Sequence, residues 1–392
     1  MRYAIVTETY PPEINGVALT VQSLEDGLRA RGHRVELIRP RQRRERAMAE
    51  HEILVAGIPL PRYPGLRLGV PALRTLAKTW TSQRPDAVYV ATEGPLGWAA
   101  LRVARKLGIP AASGFHTRFD RYMHDYGVPF MQGPALRWMR HFHNLADTTL
   151  VPTQELRRFL ENNGFASVSR LPRAVDTALF DPARRDPALR AQWGLREEDP
   201  MVVYLGRIAA EKNLDLAIRA FRAIQRDCPS ARFVWVGDGP ERASIEREHP
   251  DFVFCGMQRG ETLARHFASA DLFLFPSLSE TYGNVTLEAL ASGVPTVAFD
   301  YGAAHEYLRH GENGAAIAET KHPHADADAF VKAARTIASD RALRARMARA
   351  ARESVTALRP QQVAADFDHI LSTLQANRAH ERDVSTAQIA RE

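Results

Sequence analysis

The sequence is poor in cysteine, with two in 392 residues, Cys228 and Cys255. Two cysteines cannot form the disulfide framework of a small secreted domain, and their spacing matches no zinc motif. This scarcity excludes a disulfide-stabilised scaffold and a zinc ribbon. It favours a reducing compartment, so we expect a cytoplasmic location.

Long apolar runs are also missing. No stretch approaches the roughly eighteen apolar residues that a transmembrane helix needs, and the apolar stretch at the N-terminus is too short for a signal peptide. There is no P-loop, no G-x-S-x-G elbow, no solenoid repeat and no low-complexity segment. The sequence therefore argues against membrane-spanning proteins, P-loop NTPases, α/β-hydrolases and repeat proteins.

What is present is an ordinary globular composition, with 45% hydrophobic and 25% charged residues. A chain of 392 residues is too long for one core, so we expect two domains. The formal net charge is +6. This excess favours an anionic partner, which could be a phosphorylated ligand, a nucleic acid or an acidic lipid.

Apolar strands and amphipathic helices alternate almost from end to end, which predicts an α/β fold with parallel sheets. A stretch rich in Pro and Asp interrupts the pattern near Pro172. We therefore predict one domain over 1–172, a second over 173–359, a helix over 360–376 that returns toward the first domain, and a polar tail over 377–392. Two similar domains of this type imply a ligand cleft between the carboxyl ends of their strands.

The stretch from Asp271 to Gly293 carries the strongest chemical signal. A buried strand, Leu272–Phe275, is followed by a loop and by a helix that begins near Gly283. The N–H groups at the start of such a helix suit a phosphate group. Glu280 in the loop would repel that phosphate and needs another partner, such as sugar hydroxyl groups. Alternatively, Glu280 is a surface charge that favours the positive helix end.

Three further positions follow strands of the predicted sheets. Gly16 at the start of the first helix would let the backbone approach a diphosphate, or it merely forms a tight turn. Arg207 and Lys212 could neutralise a diphosphate without metal, or they are solvated surface cations. His116 could contact a sugar or move a proton, or it is a structurally satisfied histidine.

Two tempting patterns are rejected. The stretch from Gly237 to Arg242 has Arg where the dinucleotide fingerprint requires a third glycine, and Pro240 removes an amide donor, so it is interpreted as a turn. A histidine- and aspartate-rich stretch looks like a metal cluster but leads into a helix, where Asp is a common cap. Its members are His322, His324, Asp326 and Asp328.

The segment from Glu280 to Ala289 resembles the E-x7-E motif of the retaining GT-B glycosyltransferases of family four. Pro11–Val17 resembles the glycine loop of that family, and Gly206–Lys212 resembles its G-R-x4-K pair. Ala174–Phe180 resembles its interdomain segment, with Ala174 where glycine is usual. The resemblance covers nearly the whole chain. It implies a GT-B fold, α/β with two Rossmann-like domains that face a central cleft.

The resemblance also implies roles for individual residues. Those implied in catalysis are His116, Arg207, Lys212 and Glu280, and those implied in donor binding are Gly16, Met257, Gly283, Asn284, Val285 and Glu288. Glu280 would bind hydroxyls of the donor sugar, Glu288 those of the ribose, and the cationic pair would hold the diphosphate. His116 would contact the donor sugar, and the turn at Met257 would present its backbone to the nucleobase.

The expected activity is transfer of a hexose from a nucleotide sugar to a lipid or glycolipid acceptor, without metal or other cofactor. The motif variants are similar to a bacterial branch that includes GDP-mannose-dependent α-mannosyltransferases and glycolipid synthases. GDP-mannose is therefore the expected donor, and UDP-glucose or another UDP-hexose is the alternative. A sugar-nucleotide epimerase and a nucleic-acid-binding protein are more distant alternatives.

The stretch between residues 39 and 78 holds nine basic residues against three acidic ones, together with apolar side chains that could act as anchors. The basic residues are Arg39, Arg41, Arg43, Arg44, Arg46, Arg62, Arg67, Arg74 and Lys78, and the anchors are Leu60, Tyr63, Leu66 and Leu68. This combination favours peripheral docking on an anionic membrane, here the inner face of the cytoplasmic membrane. A solubilising basic face is the alternative.

Overall fold

The computed structural model describes residues 1–13, 15–42, 51–59, 67–116, 132–277 and 282–389. The chain divides into two compact units, Met1–Ala174 with Pro360–Glu392, and Val175–Arg359. Within the described ranges no helix is both long and apolar enough to cross a bilayer.

The elements are numbered in chain order. The strands are β1 (Arg2–Val6), β2 (Arg34–Pro40), β3 (Glu52–Val55), β4 (Gly57–Pro59), β5 (Arg67–Gly69), β6 (Ala87–Val90), β7 (Ala111–Gly114), β8 (Thr148–Val151), β9 (Val168–Arg170), β10 (Met201–Leu205), β11 (Arg232–Val236), β12 (Val253–Phe254), β13 (Leu272–Phe275), β14 (Thr296–Phe299) and β15 (Gly314–Ile317). The helices are α1 (Gly16–Ala30), α2 (Leu73–Ser82), α3 (Pro95–Leu107), α4 (Gln132–His143), α5 (Gln154–Asn162), α6 (Pro187–Gln192), α7 (Leu214–Asp227), α8 (Arg242–Glu248), α9 (Gly260–Ser269), α10 (Asn284–Ala291), α11 (Gly302–Tyr307), α12 (Pro323–Ser339), α13 (Arg341–Ser354) and α14 (Pro360–Ile389).

The N-terminal unit is built on a parallel sheet. Its described strands run in the order β3-β2-β1-β6-β7-β8-β9, with helices on both faces. Strand β1 lies between β2 and β6, where Ile5 is in register with Leu37 on one side and with Tyr89 on the other. All three side chains are buried. A strand covered on both faces is continuously apolar, which explains the short hydrophobic runs in this half of the sequence.

Helix α14 belongs to the N-terminal unit although it follows the second unit in sequence. It lies against α1 so closely that a Cβ on Gly27 would be 2.3 Å from the Cβ of Ala364. The Tyr3 hydroxyl donates to the buried Asp368 carboxylate at 2.8 Å, and the Phe367 ring meets the Tyr89 ring edge to face. Because Gly27 has no side chain, the two helices can approach and cover one face of the sheet.

The second unit has its own parallel sheet, whose described strands run in the order β12-β11-β10-β13-β14-β15. Side chains of β13 alternate between two apolar cores, with Phe273 and Phe275 in one and Leu272 and Leu274 in the other. Period-two alternation between two buried faces is the expected behaviour of a central parallel strand. The fold is therefore two Rossmann-like α/β halves, as the sequence predicts.

The structure differs from the sequence-based expectations in three places. For the basic stretch after β2 the sequence predicts an irregular loop, whereas the structure has β3, β4, β5 and α2 there. The sequence does not predict the late strand β15, because Gly-Ala-Ala-Ile is a weak strand former. The polar segment predicted from residue 377 is helical as far as residue 389, because α14 continues to Ile389 with no Gly or Pro to end it. The sequence also predicts a helix near residues 119–126, and this segment lies outside the described residues.

Candidate active site

The candidate residues of the second unit lie at the carboxyl edge of its sheet. Strands β10 and β13 are neighbours in the sheet. After β10 the chain adds β11 and β12 on one side, and after β13 it adds β14 and β15 on the other. Open parallel sheets bind ligands beyond the strand ends at such a switch point. The loop after β10 carries Gly206, Arg207 and Lys212, and the loop after β13 leads to Gly283. The sequence motifs therefore fall on the two loops that flank the switch point.

The loop after β10 is held in place by the turn that follows β11. The N–H of Ile208 donates to the carbonyl of Asp238 at 3.0 Å, and the N–H of Glu241 donates to the carbonyl of Ile208 at 3.1 Å. A Cβ on Gly237 would lie 2.0 Å from the Gly206 carbonyl oxygen, so this position requires glycine. The stretch rejected as a dinucleotide fingerprint is a structural support for the loop.

The two cations of this loop have different surroundings. The Arg207 side chain is 65% exposed, and its Nη1 lies 3.3 Å from Oε1 of Glu211. Lys212 ends a short 3-10 helix and is half-buried. An exposed pair four residues apart contributes little to stability. Arg207 can therefore exchange Glu211 for an anionic ligand at small cost.

The loop after β13 is anchored by residues that follow β14. The Tyr301 hydroxyl donates to the carbonyl of Ser277 at 2.5 Å, and the N–H of Ala303 donates to the carbonyl of Tyr282 at 2.7 Å. Glu280 falls between these two anchors in sequence and lies outside the described residues. The fold thus defines both ends of the segment that carries Glu280.

Helix α10 begins directly after Gly283, whose φ of 85° is in the left-handed region that favours glycine. Among the described residues, no side chain caps this helix end. The first N–H groups of a helix have no partner inside it, so those of Asn284 and Val285 point outward as donors. Together with the helix dipole they form a favourable position for a phosphate group.

Glu288 lies one helical turn after Asn284, on the same face of α10. It is half-buried, and none of the described residues donates a hydrogen bond to its carboxylate. Burial without compensation raises the pKa of Glu288 to about 7. A carboxylate in such surroundings needs donors from elsewhere, and hydroxyl groups of a ligand would supply them.

Met257 lies in the turn after β12, at the same edge of the sheet. Its side chain is 60% exposed, and Gly256 before it has a φ of 65°. The Gly256 carbonyl accepts the N–H of Gly237 at 2.9 Å, which links this turn to the support of the β10 loop. The backbone around Met257 is therefore fixed while its side chain is open to solvent.

In the N-terminal unit, the start of α1 differs from the start of α10. The Asn15 side chain accepts the N–H groups of Val17 and Ala18 at 3.1 and 2.9 Å, so these two donors are already used. Gly16 is exposed, and no described residue accepts its N–H. At this end of α1 the Gly16 N–H is the donor that can meet a ligand.

His116 follows β7 and is buried, with both ring nitrogens hydrogen-bonded. Nε2 lies 2.9 Å from the Tyr89 hydroxyl, and Nδ1 lies 3.1 Å from Nη2 of Arg173. Burial, and then the positive charge of Arg173, hold the pKa of His116 well below its usual value, so the ring is neutral. A guanidinium can only donate, so Nδ1 is the acceptor and Nε2 carries the proton.

Arg173 joins two residues that the sequence treats separately. Its Nη1 donates to the carbonyl of Gly16 at 3.1 Å while its Nη2 reaches His116. Arg173 was not singled out from the sequence, and its position directly before the segment Ala174–Phe180 was the one signal that could have drawn attention to it. Gly16 and His116 thus form one hydrogen-bonded group.

The stretch rejected as a metal cluster has a structural role. The carboxylate of Asp326 accepts both the N–H and the hydroxyl of Thr320 at 2.7 Å, and Asp328 pairs with Arg219. Among the residues that the structure describes, no group of three or more His, Cys, Asp or Glu is arranged to hold a metal ion.

Comparison with known proteins gives a consistent result. The family model for "Glycosyltransferase Family 4" matches residues 14–179, and that for "Glycosyl transferases group 1" matches residues 199–340. The chain is 35% identical over 316 residues to a GDP-mannose-dependent alpha-mannosyltransferase of Mycobacterium tuberculosis, covering 79% of this chain and 81% of that protein. It is 26% identical over 312 residues to an alpha-monoglucosyldiacylglycerol synthase of Streptococcus pneumoniae, covering 76% and 71%.

Among solved structures, a sucrose-phosphate synthase from Thermosynechococcus elongatus superposes with a TM-score of 0.75 at 19% identity, covering 96% of this chain and 99% of that chain. At this identity the likeness establishes the fold.

Proposed function

The chain belongs to glycosyltransferase family 4, and we propose that it transfers mannose from GDP-mannose to a lipid or glycolipid acceptor. The proposed reaction retains the configuration of the anomeric carbon and uses no metal ion. The family and the enzyme class rest on the comparisons. The donor, the acceptor, the stereochemistry and the residues that act are parts of the proposal.

The observation that supports the donor site is that two amides and a carboxylate on α10 have no hydrogen-bond partner among the described side chains. The N–H groups of Asn284 and Val285 suit the diphosphate, and Glu288 one turn later suits the ribose hydroxyls. The ribose would satisfy a carboxylate to which no described residue donates. A phosphate at one end of the helix and a sugar diol one turn later match the order of groups in a nucleoside diphosphate.

The leaving group determines the chemistry. A departing nucleoside diphosphate needs its charge stabilised, and Arg207 and Lys212 on the loop after β10 can do this electrostatically. In the proposed mechanism the acceptor hydroxyl attacks on the face from which the diphosphate departs. The departing phosphate oxygen takes the hydroxyl proton. Glu280 would hold the hydroxyls of the mannose during this step, and the Met257 turn would meet the base.

A lipid acceptor is supported by an exposed apolar surface on the N-terminal unit, which we call the hairpin surface. Strands β4 and β5 pair antiparallel, with Ile58 opposite Leu68, and these side chains are 61% and 38% exposed. Arg74 and Lys78 are exposed on the following helix, α2. Exposed apolar side chains followed closely in the chain by exposed cations fit the boundary of an anionic bilayer. We propose peripheral association with the inner face of the cytoplasmic membrane through this surface.

Ligand-dependent thermal unfolding tests the proposed donor directly. The protein would be heated with GDP-mannose, UDP-glucose or a single-stranded oligonucleotide, each at the same concentration. The expected result is the largest rise in Tm with GDP-mannose, because ligands that bind the native state stabilise it. A larger rise in Tm with UDP-glucose would identify UDP-glucose as the preferred donor. A rise in Tm with the oligonucleotide alone would overturn the proposal.

A further inference from the structure

Arg173 is nearly inaccessible, with 6% exposure, and its guanidinium contacts described residues that lie on separate elements. It donates to the carbonyl of Gly16 at 3.1 Å, to the hydroxyl of Thr20, and to Nδ1 of His116 at 3.1 Å. Gly16 and Thr20 belong to the first turn of α1, whereas His116 follows β7, two strands away from β1 in the sheet. One buried arginine therefore connects two separate loops of the N-terminal unit.

The far side of the His116 ring is equally confined. Nε2 lies 2.9 Å from the Tyr89 hydroxyl. A Cβ on Gly114 would lie 2.3 Å from that hydroxyl and 2.6 Å from Nε2, so only glycine leaves room for the pair. With Arg173 on one nitrogen and Tyr89 on the other, the ring has a single orientation and a single tautomer.

We propose that Arg173 is a positioning residue that fixes the His116 ring, with its proton on Nε2, and at the same time fixes the peptide of Gly16. The inference rests on the proposed function, because it assumes that these two residues serve the transfer reaction. Arg173 acts through them and has no contact with substrate in this account. The glycosyl-transfer step then requires the two separate N–H donors of the guanidinium group, because a single point charge cannot bind Gly16 and His116 at the same time.

The chemistry of the two cationic side chains explains why the two donors matter. Guanidinium presents donors in a fixed plane, so Nη1 and Nη2 can meet Gly16 and His116 together. An ammonium group on Lys is a compact charge that can satisfy one of them. Arg173→Lys thus retains the positive charge and loses the connection, whereas Arg173→Gln loses both. The two variants separate position from charge.

Among the described residues, three groups that bear on the environment of His116 come from separate elements. Tyr89 comes from β6, Arg173 from the stretch after β9, and His143 from the end of α4. His143 in turn lies 3.5 Å from the Glu93 carboxylate. Loss of the Arg173 charge removes one cause that lowers the pKa of His116, so that pKa should rise toward its usual value.

The tautomer of His116 can be measured without any activity assay. The full-length protein labelled with ¹⁵N-histidine would be examined by long-range ¹H–¹⁵N correlation NMR, and the His116 signals identified from their loss in His116→Gln. The expected wild-type spectrum shows a neutral ring with its proton on Nε2 from pH 6 upward. A proton on Nδ1, or a ring that titrates near pH 6.5, would overturn the proposal whatever the variants do.

Kinetics of the two arginine variants provide the second test. Both should lower kcat on the order of a hundredfold, because small displacements of positioned groups cost that much. The kcat/KM of Arg173→Gln should also begin to fall at a higher pH, on acidification, than that of the wild type or Arg173→Lys, because one of the causes that lower the pKa of His116 is removed. The matched control is Arg84→Lys, an exposed arginine that donates to the carbonyls of Leu107 and Gly108, for which no change is expected.

The outcomes distinguish this inference from the proposed function. Wild-type kcat with an unchanged pH profile in Arg173→Gln would overturn the positioning role while leaving the transferase intact. A wild-type protein that turns over no nucleotide sugar, yet shows the expected tautomer, would overturn the proposed function and leave the geometric part standing. If Arg173→Gln does not fold, the wild-type spectrum and Arg173→Lys decide the matter.

Discussion

The Nδ2 group of Asn213 donates to the carbonyl oxygen of Pro276 at 3.3 Å, which joins the loop after β10 to the loop after β13. These are the two loops beside the switch point of the second unit. Asn213 has a φ of 54°, the one positive φ among the described non-glycine residues. Asparagine tolerates this conformation better than other side chains. The contact holds Lys212 at a fixed place relative to the start of α10.

Replacement of Asn213 separates its two roles. Asn213→Gly keeps the left-handed backbone and loses the hydrogen bond, so we expect the KM for donor to rise about fivefold, equivalent to about 1 kcal/mol. Asn213→Ala loses the hydrogen bond and adds about 1–2 kcal/mol of backbone strain. Steady-state kinetics and chemical denaturation would show this. Equal stability of the two variants would contradict the strained-backbone argument.

Lys212→Ala and Glu280→Ala test the electrostatic part of the donor site. Each should lower kcat/KM by about a hundredfold or more, the scale of losing one positioned electrostatic contact. Lys332→Ala, which removes an exposed lysine from α12 in the same unit, is the matched control and should retain activity. Near wild-type activity in either test variant would show that the replaced residue does not act in the donor site.

Glu288→Gln should lower the activity and raise the free energy of unfolding. Burial raises the pKa of Glu288 from 4.5 to about 7, so the folded state holds its proton more tightly than the unfolded state. The resulting stabilisation is complete below about pH 4.5 and is lost as the pH rises through about 7. At pH 8 the neutral glutamine should therefore raise the free energy of unfolding by up to about 3 kcal/mol, and at pH 4.5 by much less.

The measurement for Glu288→Gln is urea denaturation at several pH values, with kcat/KM determined beside it. Activity should fall, because the amide replaces the carboxylate that we propose accepts the ribose hydroxyls. Glu353→Gln, on an exposed position of α13, is the control and should change stability by less than about 0.5 kcal/mol at every pH. A stability gain that does not depend on pH would show that burial does not destabilise the ionised carboxylate of Glu288.

The hairpin surface makes a prediction about membranes. Ile58→Ser with Leu68→Ser should weaken co-sedimentation with anionic vesicles, since both exposed apolar side chains are removed. Arg74→Ala with Lys78→Ala should weaken it too, by about 1 kcal/mol for each cation at low salt. Leu19→Ser, which removes another exposed leucine on α1, is the control. No wild-type binding to acidic vesicles at low salt would end the membrane proposal.

Much of the fold could be predicted because its central strands are buried on both faces. Such strands appear as short apolar runs, and β13 over Leu272–Phe275 was predicted with its observed bounds. The short edge elements could not be found in the same way. Strand β15 consists of Gly, Ala, Ala and Ile, whose strand character comes from its place beside β14. Helix α14 extends beyond the predicted end at residue 376, because the composition of the residues that follow does not mark a helix end.

Candidate site residues could be predicted where they belong to a motif that follows a predicted strand. Gly283 and Glu288 were predicted in this way, and the structure adds that, among the described residues, no side chain caps α10 and none donates to the Glu288 carboxylate. The contacts of Arg173 could not be predicted, because those with Gly16 and His116 span more than fifty residues in sequence and exist only after the sheet forms. That Asn15 uses two donors of α1 was likewise visible only in the structure.

The most direct test of the central claim is the product itself. Purified protein would be incubated with GDP-mannose labelled in the sugar and with a membrane lipid extract, and the organic phase examined by mass spectrometry and by NMR of the anomeric proton. The account predicts a new lipid that carries one α-linked mannose, formed in the presence of a metal chelator. A β-linked product, or the absence of labelled lipid with GDP-mannose, would contradict it.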